Sequence, residues 1–113
     1  MSSLPTLTDR TFDPTIATGR WLVEFWSPDC RPCQIVSPVL TDLQERFRGQ
    51  VNFASVNVDT ELATALRQRV MGVPTVMLYL DGRPVDVLYS SRPPHVYAER
   101  LARLAERVPV PVG

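Results

Sequence analysis

Apolar residues along this chain follow two rhythms. The run "WLVEFW" at 21–26 is short, mostly apolar and rich in β-formers, which predicts a buried strand. From Arg31 to Arg48, the residues Ile35, Val39, Leu43 and Phe47 recur every fourth position and predict one face of a helix, ended by Gly49. "VNFASVNVD" at 51–59 predicts a second central strand, and "TELATALRQRV" at 60–70 predicts a helix with Leu62, Leu66 and Val70 on one face. "TVMLYL" at 75–80 predicts a third strand. The turn signal Asp81-Gly82 leads into "PVDVLYS" at 84–90, so these two strands are expected to form a hairpin. Pro93 and Pro94 open a last helix, with Val96, Leu101, Leu104 and Val108 inward and Arg100, Arg103 and Arg107 outward. Upstream, Leu4 to Leu7 predict an edge strand, and Asp9 to Ala17 a short helix started or broken at Pro14. The closing "VPVPVG" has no partner in this scheme and is expected to fray.

The order β-α-β-α-β-α-β-β-α belongs to the α/β class. The βαβ part requires a right-handed crossover and the hairpin adds antiparallel strands, giving a central mixed β-sheet with helices on both faces. A chain of 113 residues fits one domain, with a core at about 4–107 and a tail at 108–113. Its 44% hydrophobic content suffices for a single core, and no apolar run is long enough to cross a bilayer. The start "MSSLPTLTD" lacks the basic-then-apolar order of a secretory signal, which points to the cytoplasm. Twelve basic and twelve acidic residues cancel, and no basic surplus suggests a nucleic-acid partner. Every basic residue is Arg; without Lys, Schiff-base chemistry is excluded.

Both cysteines lie in "SPDCRPCQ" at 27–34. A structural staple gains stability by closing a long loop, and two intervening residues close almost nothing. Zinc wants four ligands, and the chain offers two Cys and one distant His95, so a metal site needs a second chain. The redox reading has a mechanism. A strand ends near Trp26 and a helix begins close to Cys30, where unpaired N–H groups and the positive end of the helix dipole favour a thiolate. Pro32 suits the first helical turn. Cys33, one turn on, faces the same way and reaches Cys30. Cys30 is therefore the expected exposed nucleophile and Cys33 the more buried resolving thiol.

With these residues in view, the chain resembles the thioredoxin family over roughly residues 4–107. "LVEFW" stands where the family has an apolar strand with a buried acid, and "CRPC" where typical members have C-G-P-C. Pro38 sits inside the next helix, "VNVD" ends the next strand, "GVPT" at 72–75 matches a cis-proline loop, and "DG" lies at the hairpin. The resemblance implies that Glu24, in place of the usual Asp, exchanges a proton with Cys33; burial in an apolar setting favours its protonated form. The other reading of Glu24 is a carboxylate pointing to the sheet surface. The resemblance also implies a cis bond before Pro74, with Val73 beside the cysteines offering its backbone to an extended substrate. Trp26 is expected to pack on the redox loop. Phe25, Phe47 and Phe53 are read as core, Trp21 as core or rim, and His95 as exposed in the first turn of the last helix.

Four further positions depart from the family pattern. Arg31 replaces Gly and should favour the Cys30 thiolate, raising the reduction potential. Asp29 replaces a Trp of the apolar rim and pushes the other way. Ser55 stands where many members carry a Lys near the acid, and Ser90 where many carry a Gly. The function this resemblance implies is reduction of protein disulfides by a divergent thioredoxin-like protein acting as a monomer. No cofactor is bound; electrons come from NADPH through a flavoprotein thioredoxin reductase. A redox-inactive binding or chaperone module on the same fold is the alternative, and metal or iron–sulfur binding between two Cys pairs at a dimer interface is a third reading.

Overall fold

The structure, a computed structural model, describes residues 3–108. Its elements run α1 (Phe12–Ile16), β1 (Arg20–Trp26), α2 (Arg31–Arg46), β2 (Asn52–Asn57), α3 (Leu62–Arg67), β3 (Thr75–Leu80), β4 (Arg83–Tyr89) and α4 (Pro94–Glu106). The strands form one sheet in the order β2-β1-β3-β4. β1 pairs parallel with β2 and antiparallel with β3, and β4 pairs antiparallel with β3. This is the mixed sheet expected.

β1 is central, which explains why "WLVEFW" reads as a nearly continuous apolar run: both faces are covered. Val23 and Phe25 face a cluster containing Leu7, Phe12, Ile16, Ala54, Val56, Met77 and Tyr79. Leu22 faces the other way, into a cluster with Leu40 and Leu43 of α2 and Tyr97, Leu101 and Leu104 of α4. Strand alternation puts Glu24 on this second face, between Leu22 and Trp26. The hairpin turn has positive φ at both Asp81 and Gly82 (50° and 83°), as a two-residue turn of matching twist requires. Asp81 Oδ1 accepts the Gly19 N–H at 2.8 Å, tying the turn to the start of β1. Pro84 lies on the edge strand β4, beside the register shift at Leu78/Tyr79. α4 is fastened to β4 by the Arg100 guanidinium, which donates to both oxygens of Asp86 at 2.7 and 2.8 Å.

Several expectations need correction. The inward stripe of α2 is Cys33, Val36, Leu40 and Leu43, continued by Phe47, whereas Ile35 is 68% exposed. Four residues advance a helix about 40° past a full turn, so a strict spacing of four drifts off any one face; three-and-four spacing stays on it. α2 ends at Arg46, and Gly49 (φ 80°) serves the turn that follows. In α3, Leu62 and Leu66 face solvent, and Thr64 and Ala65 are buried. A polar clamp sets that orientation. Asp9 Oδ1 accepts from the Thr64 N–H (2.8 Å) and hydroxyl (2.6 Å), while Glu61 Oε1 accepts the Asp9 N–H at 2.8 Å.

At the N-terminus the edge strand shrinks to one parallel bridge, Thr6 with Ser55. Pro5 has no N–H to extend the ladder; its carbonyl accepts from Ser55, and Leu7 donates to the Ser55 carbonyl. Leu4 and Leu7 are nevertheless buried, one in each cluster. Pro14 falls in the first turn of α1, where a missing N–H does no harm. Val108, expected inward, lies past the end of α4 and is 77% exposed. The rest of the tail, 109–113, lies outside the described residues. Among the described residues no helix is long and apolar enough to cross a membrane.

Candidate active site

β1 delivers the chain to Trp26 at its end, four residues follow (Ser27 to Cys30), and α2 starts at Arg31. Cys30 is the N-cap of that helix, in extended backbone conformation (φ −88°, ψ 106°). Its Sγ accepts the Cys33 N–H at 3.1 Å, as a capping oxygen would. The sulfur thus sits where helix N–H groups converge and where negative charge is stabilised. Pro32 occupies the first turn. Cys30 and Cys33 are joined in a disulfide with Cα atoms 5.2 Å apart. Both cysteines are largely buried, and Cys30 keeps more of its surface (9%) than Cys33 (2%).

Trp26, Cys30 and Cys33 form a small cluster of their own, with half-buried Val73 packed against it. The Val73–Pro74 peptide bond is cis. Among the described residues nothing hydrogen-bonds to the Val73 N–H or C=O. On the far side of Pro74, its carbonyl accepts the Ser90 N–H at 3.0 Å. Ser90 holds φ +60°, a left-handed conformation that glycine adopts without penalty. The Trp26 indole N–H is buried without a partner among the described residues.

Glu24 is fully buried, because the face of β1 it occupies lies under α2 and α4; the sheet-surface reading does not hold. Its Oε2 accepts a hydrogen bond from the Ser37 hydroxyl at 2.6 Å. Ser37 lies one helical turn beyond Cys33 on the buried side of α2. Ser55, directly across from Glu24 on β2, is also fully buried, and its hydroxyl donates to the Leu4 carbonyl at 3.3 Å. Tyr97 of α4 completes this region. Burial is the main cause that pushes its phenol up, and the Glu24 charge adds to it.

The structure therefore brings Trp26, Cys30, Cys33 and Val73 together in a mostly buried cluster, with Pro74 joined to Val73 by the cis bond and Glu24 on the same side of the sheet as Trp26. Asp29 and Arg31 flank Cys30, are both exposed, and are not joined to each other by an ion pair. His95 is exposed in the first turn of α4. Among the described residues no group of three or more His, Cys, Asp and Glu is placed to hold a metal ion. Sequence reasoning missed Ser37. Its signal was available: a serine four residues after Cys33, on the stripe Cys33-Val36-Leu40 once the helical period is drawn correctly.

Comparison with known proteins agrees with this geometry. The family model described as Thioredoxin matches residues 3–102. A thioredoxin of Staphylococcus aureus (strain Mu50 / ATCC 700699) is 36% identical over 95 residues, covering 84% of this chain and 91% of the relative. A thioredoxin of Staphylococcus saprophyticus is 38% identical over 101 residues, covering 89% of this chain and 93% of the relative.

Proposed function

The chain belongs to the thioredoxin family and is a thiol–disulfide oxidoreductase that reduces protein disulfides, and on that premise we propose a role for each residue of the site. In the reduced protein, the Cys30 thiolate attacks one sulfur of a substrate disulfide. The Cys30–substrate bond forms, the substrate S–S bond breaks, and the departing sulfur leaves as a thiolate that takes a proton. Cys33 then gives its proton to the Glu24 carboxylate and attacks Cys30 Sγ. The Cys30–Cys33 bond forms, the mixed disulfide breaks, and the second substrate sulfur departs and is protonated. Two electrons pass to the substrate, which becomes a dithiol.

The observation that carries this reading is the Cys30–Cys33 disulfide at the start of α2, with Cys30 at the rim and Cys33 beneath it. Burial of Glu24 under the same helix supports its part as proton acceptor. The uncommitted Val73 backbone beside the cysteines supports strand-like pairing with an extended substrate, and Trp26 and Pro74 floor that contact. Arg31 and Asp29 tune the Cys30 thiolate in opposite directions, and Pro32 holds the first helical turn. The cysteines carry the electrons without a bound cofactor. The supply is NADPH through a thioredoxin reductase, the site of action the cytoplasm, and the acting form a monomer; family membership supports all three.

The test compares Cys30→Ser and Cys33→Ser with the parent in reduction of insulin disulfides by reduced protein. Cys33→Ser should accumulate a mixed disulfide visible as an intact mass adduct, and Cys30→Ser should form none and not turn over. Full biological function retained by Cys30→Ser would instead establish a binding module on this fold.

A further inference from the structure

The buried pair Ser37–Glu24 has a chemical consequence for the proton step. A hydrogen bond donated to a carboxylate stabilises its charged form over its neutral form. The bond here is short, 2.6 Å, and comes from a helix residue that is itself 6% exposed. Among the described residues, the polar and titratable groups on this face include Cys33 and Ser37 from α2, Tyr97 from α4, Ser55 from β2 and the Trp26 indole from β1, with β3 presenting apolar Val76. The Tyr97 hydroxyl accepts the Arg92 N–H at 3.1 Å and donates its own proton to the Ser90 carbonyl at 3.4 Å. Ser55 spends its proton on the Leu4 carbonyl. Ser37 differs from both: it shares a helix and a face with Cys33, one turn apart, and aims its proton at Glu24.

The geometry points to Ser37 as a positioning residue of the thiol–disulfide exchange: its hydroxyl holds the Glu24 carboxylate ionised and aimed along α2 toward Cys33. The inference rests on the proton-acceptor role given to Glu24 above. Ser37 touches neither substrate nor sulfur in the reaction; it acts through Glu24. Without it, the carboxylate, still buried, takes up a proton at higher pH and is less available as a base near neutrality.

Two readouts on the full chain test this. The first is the side-chain carboxyl signal of Glu24 followed by carbon NMR against pH in the oxidised protein, where no thiol titrates. Ser37→Ala should move the pH at which that signal shifts upward by about one unit, the size expected for loss of one hydrogen bond to a charged group. Ser37→Thr, which keeps the hydroxyl, should return it to the parent value. The second is the pH profile of mixed-disulfide resolution, whose acid limb should rise by the same interval in Ser37→Ala. An unchanged carboxyl signal in Ser37→Ala, or a shift that Ser37→Thr fails to reverse, would overturn the inference. Glu24→Gln separates the two claims. If it resolves mixed disulfides as fast as the parent, the proton-acceptor role itself fails, whatever the carboxyl signal does.

Discussion

Replacing Glu24 by Leu should make the protein more stable and much slower. The carboxylate is fully buried beneath α2 and α4, across from Ser55 on one side and Val76 on the other. Exchanging a buried charged group for an apolar side chain of similar size gains about 1–4 kcal/mol. Against this, Ser37 loses the acceptor of its 2.6 Å bond. An orphaned buried hydroxyl costs about 1–3 kcal/mol, toward the lower end here because a helical serine can turn to the carbonyl four residues back. The net expectation is a gain of about 1–2 kcal/mol, or roughly 4–8 °C in Tm for a domain of this size. The double variant Glu24→Leu/Ser37→Ala removes the orphan and should gain about 1 kcal/mol more. Urea unfolding with a common slope measures the stability, and single-turnover resolution of a mixed disulfide measures the chemistry. Loss of a positioned base should slow that step by about a hundredfold or more near neutral pH. The reasoning is refuted if Glu24→Leu loses more than about 1 kcal/mol and the double variant does not recover it, since the carboxylate would then be a net stabilising element. An unchanged resolution rate would remove Glu24 from the chemistry.

Arg31→Gly should lower the reduction potential of the cysteine pair by about 5–20 mV, the equivalent of an exposed charge interaction, and added salt should shrink the difference. Equilibration in thiol–disulfide buffers reads this directly, and a rise in potential would mean that Arg31 does not favour the thiolate. At low pH, the Thr64 hydroxyl and N–H hold the Asp9 carboxyl below its ordinary value of 3.8. A lowered folded value means that this stabilisation is present above about pH 4 and is lost as pH falls through the folded value. Asp9→Asn should therefore flatten the acid limb of a stability–pH curve; an unchanged limb would sink the assignment. At high pH the sign reverses. Burial raises Tyr97 and Tyr79, so their stabilisation is present below the free phenol value of about 10 and is lost above it. Tyr97→Phe should reduce the alkaline loss measured by urea titration while leaving the Tyr79 part in place.

Short-range chemistry made much of this protein legible before any coordinates. The strand "TVMLYL" and its Asp81-Gly82 turn stand where expected, because a two-residue turn with positive φ at both positions accepts few residue pairs. The start of α2 was equally readable: a cysteine cap, a proline in the first turn and a second thiol one turn later are local events within four residues. The two misread helix faces share a cause. Apolar spacing in α2 and α3 admitted more than one inward stripe, and residues distant in sequence made the choice. In α2 the chosen stripe packs on Leu22 and on α4. In α3 the decision fell to Asp9, 55 residues from Thr64, so two leucines were left in water.

The sequence by itself determined the alternating order of elements, the redox pair with its capped helix, and the hairpin, all of which depend on neighbours within a turn or two of chain. Only the tertiary structure decided what surrounds Glu24. A strand's alternation states which two faces exist but not what covers them. Covering both faces of β1 took the carboxylate out of water, and bringing α2 across the sheet set Ser37 against it from thirteen residues away.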